Sequence, residues 1–155
     1  MRTSAIYFSL ALLLTAVLPV TARAVDNITS NDAPDLASVR AKIKAKDFKG
    51  ALAELTPMLT THQHADVYNL MGFSLRKTGD YKQAYTFYRK ALDFNPEHKG
   101  ALEYLGELYF ETGEVEKARE NVALLKKLCP GGCEELEDLE QAIAAAPKSN
   151  AAKVN

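Results

Sequence analysis

Asp80-Tyr81-Lys82-Gln83-Ala84 and Glu114-Val115-Glu116-Lys117-Ala118 stand 34 residues apart, each reading acid, apolar, two polar residues, alanine. Asp47-Phe48-Lys49-Gly50-Ala51 has the same character and precedes the first by 33. A fixed period of this size marks a repeat protein, whose units cannot bury their apolar faces alone. Downstream of Asp80, Ala84, Tyr88, Ala91 and Leu92 fall at i, i+4, i+7 and i+8, one face of a helix.

A second amphipathic segment lies upstream of each run. Tyr68, Met71, Gly72 and Leu75 are matched 34 residues on by Leu102, Leu105, Gly106 and Tyr109. Gly79 and Gly113 fall between the two segments of their units, where a helix end wants positive φ. Asp80 then caps the next helix, with Gln83 in capping-box register. Asn95-Pro96 is expected to supply a cap and a first-turn proline for the third unit. Each unit is therefore a helix, a tight turn and an antiparallel helix, and the fold class is all-α.

This pattern resembles the tetratricopeptide repeat. A 34-residue frame from Ala65 sets Tyr68, Met71, Gly72, Leu75, Ala84, Tyr88, Ala91 and Pro96 on the family's signature positions. A frame from Lys99 sets Leu102, Leu105, Gly106, Tyr109, Ala118, Val122, Leu125 and Pro130 there. The two glycines let paired helices approach closely, and the two alanines are small where helices cross. The resemblance implies an α-solenoid over residues 33–146, with repeats 33–64, 65–98 and 99–132. The first unit is degenerate: Leu36, Val39 and Ile43 are one residue out of phase, which predicts a shortened turn near Lys44–Lys46. Leu136, Leu139 and Ile143 predict a capping helix over 133–146, and residues 147–155 a flexible tail. Seven helices are expected, with Glu134, Glu135, Glu137, Asp138 and Glu140 on the outer face of the last.

The family's first helices line a concave groove that receives a peptide or a partner's helix, which implies a protein-binding role. Carried over by position, the groove holds Asn69, Phe73, Arg76 and Lys77 in the second repeat. The third repeat adds Glu103, Tyr104, Glu107, Phe110 and Glu111. It would run from a basic, Phe-bearing middle to an acidic end, with Lys44 adding charge at its start. One branch of the family grips a terminal carboxylate with a Lys/Asn/Arg clamp. Only Asn69 and Arg76 match that clamp, and Glu103 and Glu107 oppose it. Three glutamates spaced by four repel one another by a few tenths of a kcal/mol per pair, so a basic or amine-bearing partner would relieve them.

Met1-Arg2-Thr3, an apolar run from Ala5 to Val20 and Ala22-Arg23-Ala24 read as a signal peptide over residues 1–24, followed by a linker over 25–32. The run is shorter than the roughly 20 residues needed to span a membrane, so no stable insertion is expected after cleavage. The predicted location is the periplasm or the medium. The mature chain holds 17 basic and 20 acidic residues, formally −3, and no basic surplus to bind nucleic acid. Asn27-Ile28-Thr29 fits a glycosylation acceptor.

Chemistry has few candidates. Cys129-Pro130-Gly131-Gly132-Cys133 joins the last repeat to the cap, and an even, close cysteine pair in an exported chain favours a disulfide. Closing so small a loop is worth about 2 kcal/mol in the chain-entropy picture. A thiol-redox pair and half of a metal site remain alternatives, although C-x-x-x-C lacks the C-x-x-C redox spacing. His62, His64 and His98 read as loop residues and fall short of a metal site. There is no P-loop and no G-x-S-x-G, so the chain reads as a non-enzyme without cofactor. The expected role is an exported adaptor or assembly factor, and the alternative a thiol-redox or metal-handling envelope factor using Cys129 and Cys133. The Leu36, Val39 and Ile43 stripe also suggests a homo-oligomer. The chain's ending resembles that of small exported bacterial repeat proteins.

Overall fold

At Lys46, Gly79 and Gly113 the backbone enters the left-handed region, with φ of 59°, 89° and 85°. The amide after each reaches back to close a helix end: Asp47 to the Lys42 carbonyl, Asp80 to Leu75 and Glu114 to Tyr109. The same turn therefore reverses the chain three times. The computed structural model, which describes residues 33–145, is all-helical among those residues. The helices are α1 (Ala37–Lys44), α2 (Phe48–Thr61), α3 (Ala65–Lys77), α4 (Tyr81–Phe94), α5 (Lys99–Glu111), α6 (Val115–Leu128) and α7 (Glu134–Ala144). The expected signal peptide, linker, glycosylation acceptor and tail lie outside the described residues.

Helices α1 and α2, α3 and α4, and α5 and α6 pack as hairpins, and successive hairpins stack through α2 on α3 and α4 on α5. Close approach depends on missing side chains. A Cβ on Gly72 would sit 2.7 Å from the ring of fully buried Tyr88, and one on Gly106 2.6 Å from the Leu139 side chain. The α7 helix closes the open end by laying Leu136 and Leu139 on Leu102 and Leu125. None of the described helices is long and apolar enough to cross a membrane.

Three expectations change. The Leu36, Val39 and Ile43 stripe packs inside the fold, with Leu36 and Val39 buried in the core and Ile43 against it. The stripe is thus covered within its own hairpin, α1 resting on α2. The third unit is capped by His98, whose Nδ1 accepts from the Ala101 amide at 3.1 Å. Asn95 instead ends α4, and Pro96 lies between helices. The capping box at Asp80 is also altered: Asp80 accepts the Gln83 amide, but the Gln83 side chain donates to the Asp80 carboxylate. The Asp80 N–H is already committed to the turn.

Lys46 holds by itself the conformation that glycine supplies in the other two turns. Left-handed backbone costs an L-residue roughly 1–2 kcal/mol, part of which glycine returns as unfolded-chain entropy. Lys46→Gly should therefore raise stability by about 0.5–1 kcal/mol in urea unfolding. An unchanged or lower midpoint would show that the turn carries no such strain.

Candidate functional site

Alternate helices α1, α3, α5 and α7 share one wall, and Arg76 is fixed at its middle. The Arg76 side chain is 2 % exposed. Its Nη1 donates to Glu111 Oε1 at 2.9 Å and its Nη2 to Glu107 Oε2, so one α3 guanidinium joins two α5 carboxylates a turn apart. The rings of Phe73 and Tyr104 lie 5.7 and 5.8 Å from its central carbon, and 4.8 Å from each other. A planar fork between two rings and two carboxylates is the setting in which arginine outperforms lysine.

Glu103 sits one turn earlier on α5 and is treated differently. It is 6 % exposed, and no described residue forms an ion pair with it. Burial, then the negative charges of Glu107, Asp138 and Glu135, push its carboxyl up to about 8, against an ordinary 4.5, with Arg76 the opposing influence. Glu103 and Asn69 line a recess of about 260 Å³ bounded by Arg40 of α1, Tyr104 of α5 and Asp138 of α7. Asn69 is 5 % exposed, and its Oδ1 has no hydrogen-bond partner.

At the edge of this recess Asp66 organises two helix starts. His98 Nε2 bonds Asp66 Oδ1 at 2.8 Å while its Nδ1 caps α5, and His64 Nδ1 accepts from the Asp66 amide to cap α3. The His98 hydrogen bond comes first among the influences that hold the Asp66 carboxyl below its usual range. These histidines are structural caps, not loose loop residues. In the sequence Asp80 and Asn95 read as caps, and imidazole in the role was missed.

The predicted groove residues divide accordingly. Phe73, Tyr104, Glu107 and Phe110 are half-buried on the wall, while Lys77 and Glu111 are exposed, with Lys77 Nζ 5.2 Å from the Phe73 ring. Asn69, Arg76 and Glu103 are buried. Lys44 is exposed at the end of α1. The basic charge expected at Arg76 is answered by Glu107 and Glu111 of α5, which leaves the exposed Lys44 and Lys77 as the basic groups of the predicted groove. Among the described residues no three His, Cys, Asp or Glu side chains cluster as metal ligands. Cys129 and Cys133 lie at bonding distance, with sulfurs 2.08 Å and Cα atoms 6.0 Å apart.

Residues 75–128 match the family profile of the tetratricopeptide repeat. That stretch carries the tetratricopeptide repeat, and the helical hairpins around it share the tetratricopeptide fold. An 80-residue stretch is 34 % identical to the BBSome complex member BBS4 of Bos taurus, covering 52 % of this chain and 15 % of that protein's length. The tetratricopeptide fold is shared with the type III secretion translocator chaperone SycD of Yersinia enterocolitica, at TM-score 0.62 and 13 % identity. That likeness covers 71 % of this chain and 85 % of the chaperone. It is shared also with the first tetratricopeptide domain of Spaghetti (RPAP3) bound to the HSP90 peptide SRMEEVD, at TM-score 0.59 and 17 % identity, covering 70 % and 90 % of the two chains.

Tetratricopeptide positions alone did not reveal Arg40, Asp66, Glu135 or Asp138 as part of the recess. A signal existed for Asp138. Counting 34 from Tyr104 reaches it once α7 is treated as a further first helix.

Proposed function

We propose that the protein is an exported adaptor or assembly factor that binds a peptide or helix of a protein partner along the α1, α3, α5 and α7 wall. The observation that carries this is the wall itself. Phe73, Tyr104 and Phe110 are half-buried on it, and Tyr104 borders the recess lined by Glu103, a buried acid with no ion-pair partner among the described residues. Partly covered aromatics flanked by charge suit a polar-rimmed interface. The tetratricopeptide fold supports protein binding, and the Spaghetti domain is an example with its peptide bound. Glu134, Glu135 and Asp138 at the recess favour a different guest from SRMEEVD, whose end is itself acidic. Export rests on the signal-peptide reading of residues 1–24. A photocrosslinker at Lys77 or Tyr104 should capture a specific partner, and one at Lys82 or Glu120 on the second helices should not. Equal capture at all four positions would refute the wall as the docking face.

The alternative uses Cys129 and Cys133 as a redox or metal-handling pair. We favour a structural staple, because the bond closes a loop of four residues' separation at the foot of α7. A Cys129→Ser, Cys133→Ser double variant should keep partner capture and lose about 2 kcal/mol of stability. Capture lost without a stability change would favour the redox reading. A staple should also have a reduction potential below about −300 mV.

A further inference from the structure

The recess between α1, α3, α5 and α7 contains more acid than the chain neutralises. Arg76, the guanidinium nearest in kind, is held by Glu107 and Glu111. Arg40 turns toward Asp66, at 3.8 Å, and Lys99 toward Glu135, also at 3.8 Å. Glu103 has no ion-pair partner among the described residues and keeps its proton up to about 8, and beside it the buried Asn69 amide oxygen is left without a donor. A buried acceptor left without a donor is costly, and a buried carboxyl that must carry charge without a partner costs more. Asn69 and Glu103 both line the recess from neighbouring helices of the wall. Asn69 Oδ1 itself lies behind the surface and comes within reach when its amide turns, so the pair forms a half-site for a donor that arrives with positive charge.

We propose that this recess seats an arginine side chain of the protein partner, its guanidinium donating to Asn69 Oδ1 and the Glu103 carboxylate. The inference deepens the protein-binding reading and rests on it. Arginine fits better than lysine because the acceptors come from two helices, and a rigid fork reaches both in one geometry. The chain shows the same solution one turn away. Arg76 spans α3 to α5, joins two carboxylates and lies beside the Tyr104 ring that also borders the recess. Asp138 on α7 faces the site from a third helix and adds attraction. A carboxylate-ended peptide is the wrong guest, since its charge would meet Asp138 and hold the proton on Glu103, whereas a seated guanidinium sends that proton to solvent and pairs with the carboxylate left behind.

The test titrates the blocked tripeptide acetyl-Gly-Arg-Gly-amide into the ¹⁵N-labelled full chain. Saturable shifts of the Asn69 side-chain amide and the Gly100 backbone amide are expected, since a Cβ on Gly100 would lie 3.3 Å from Asn69 Nδ2. The citrulline tripeptide, the same shape without charge, should bind at least tenfold more weakly. Glu103→Gln should weaken the arginine peptide at least tenfold, and Asp138→Asn, an exposed change that leaves the core alone, about threefold. Equal binding of citrulline and arginine, or shifts confined to α4 and α6, overturns the proposal. Spermidine binding as tightly as the peptide makes a free polyamine the guest and also overturns it. Partner crosslinking from Tyr104 that persists undiminished in Glu103→Gln removes the arginine seat while leaving the docking wall intact. Absence of wall crosslinking in the unaltered chain removes the docking wall itself.

Discussion

Replacing Arg76 with methionine should lower the stability of the folded chain by about 3 kcal/mol, a large loss for one side chain. Methionine fills much of the space between Phe73 and Tyr104, so the cavity contribution is small. The loss comes from the charges left behind. Glu107 and Glu111 lose the guanidinium that joins them, and Glu107 is the more buried of the two, at 20 % side-chain exposure against 38 %. Breaking one side of a buried pair costs more than the pair itself contributes, because the partner stays desolvated and unmatched. Arg76→Lys should fall between, keeping the charge but losing the fork. Adding Glu107→Gln to Arg76→Met should recover part of the loss, since the stranded charge is removed with its partner. Urea unfolding of the four chains measures this directly. A loss under about 1 kcal/mol for Arg76→Met would mean that the α3–α5 junction is held by packing alone.

The second large effect is a fall in stability as pH rises from about 4.5 to about 8. In the unfolded chain Glu103 gives up its proton at an ordinary value near 4.5, whereas in the fold it keeps it up to about 8. Between those values the folded state binds the extra proton, so its advantage is full below 4.5 and drains away as pH rises. The groups facing it are Glu107 on its own helix, Asp138 and Glu135 on α7 and Arg76 on α3. The total amounts to roughly 3–5 kcal/mol. Glu103→Gln should remove this slope and leave the variant more stable than the parent at pH 8. The difference between the two chains at each pH isolates Glu103 from every other titrating group. Parallel curves for the two would contradict it.

The helical hairpins were legible because they depend on local rules repeated at a fixed spacing. Gly79 and Gly113 had to be left-handed, Gly72 and Gly106 had to be small, and the 34-residue offset displayed each requirement twice. Lys46 escaped notice as a left-handed residue because its type does not advertise that backbone, although the degenerate first turn pointed to its location. The positions of the groove residues followed from the repeat frame. Their electrostatics did not, because Arg76 finds its carboxylates 31 and 35 residues away, in the next repeat. No periodicity in one helix says whether a charge will be answered from its neighbour. Reading the glutamates of α5 as a single ladder missed that two pair with Arg76 while the third is buried without a cation and holds its proton. The imidazole caps went unseen for a related reason: His98 serves α5 and Asp66 at once, and only three dimensions bring those together.

Arg76 is consumed within the wall by Glu107 and Glu111, and Glu103, left without a cation, keeps its proton instead. A carbon-13 titration of the Glu103 side-chain carboxyl in the intact protein measures that balance at its source. A midpoint near 8, falling when the arginine tripeptide is added, is the predicted result. A midpoint near the ordinary 4.5, unmoved by the peptide, would contradict it.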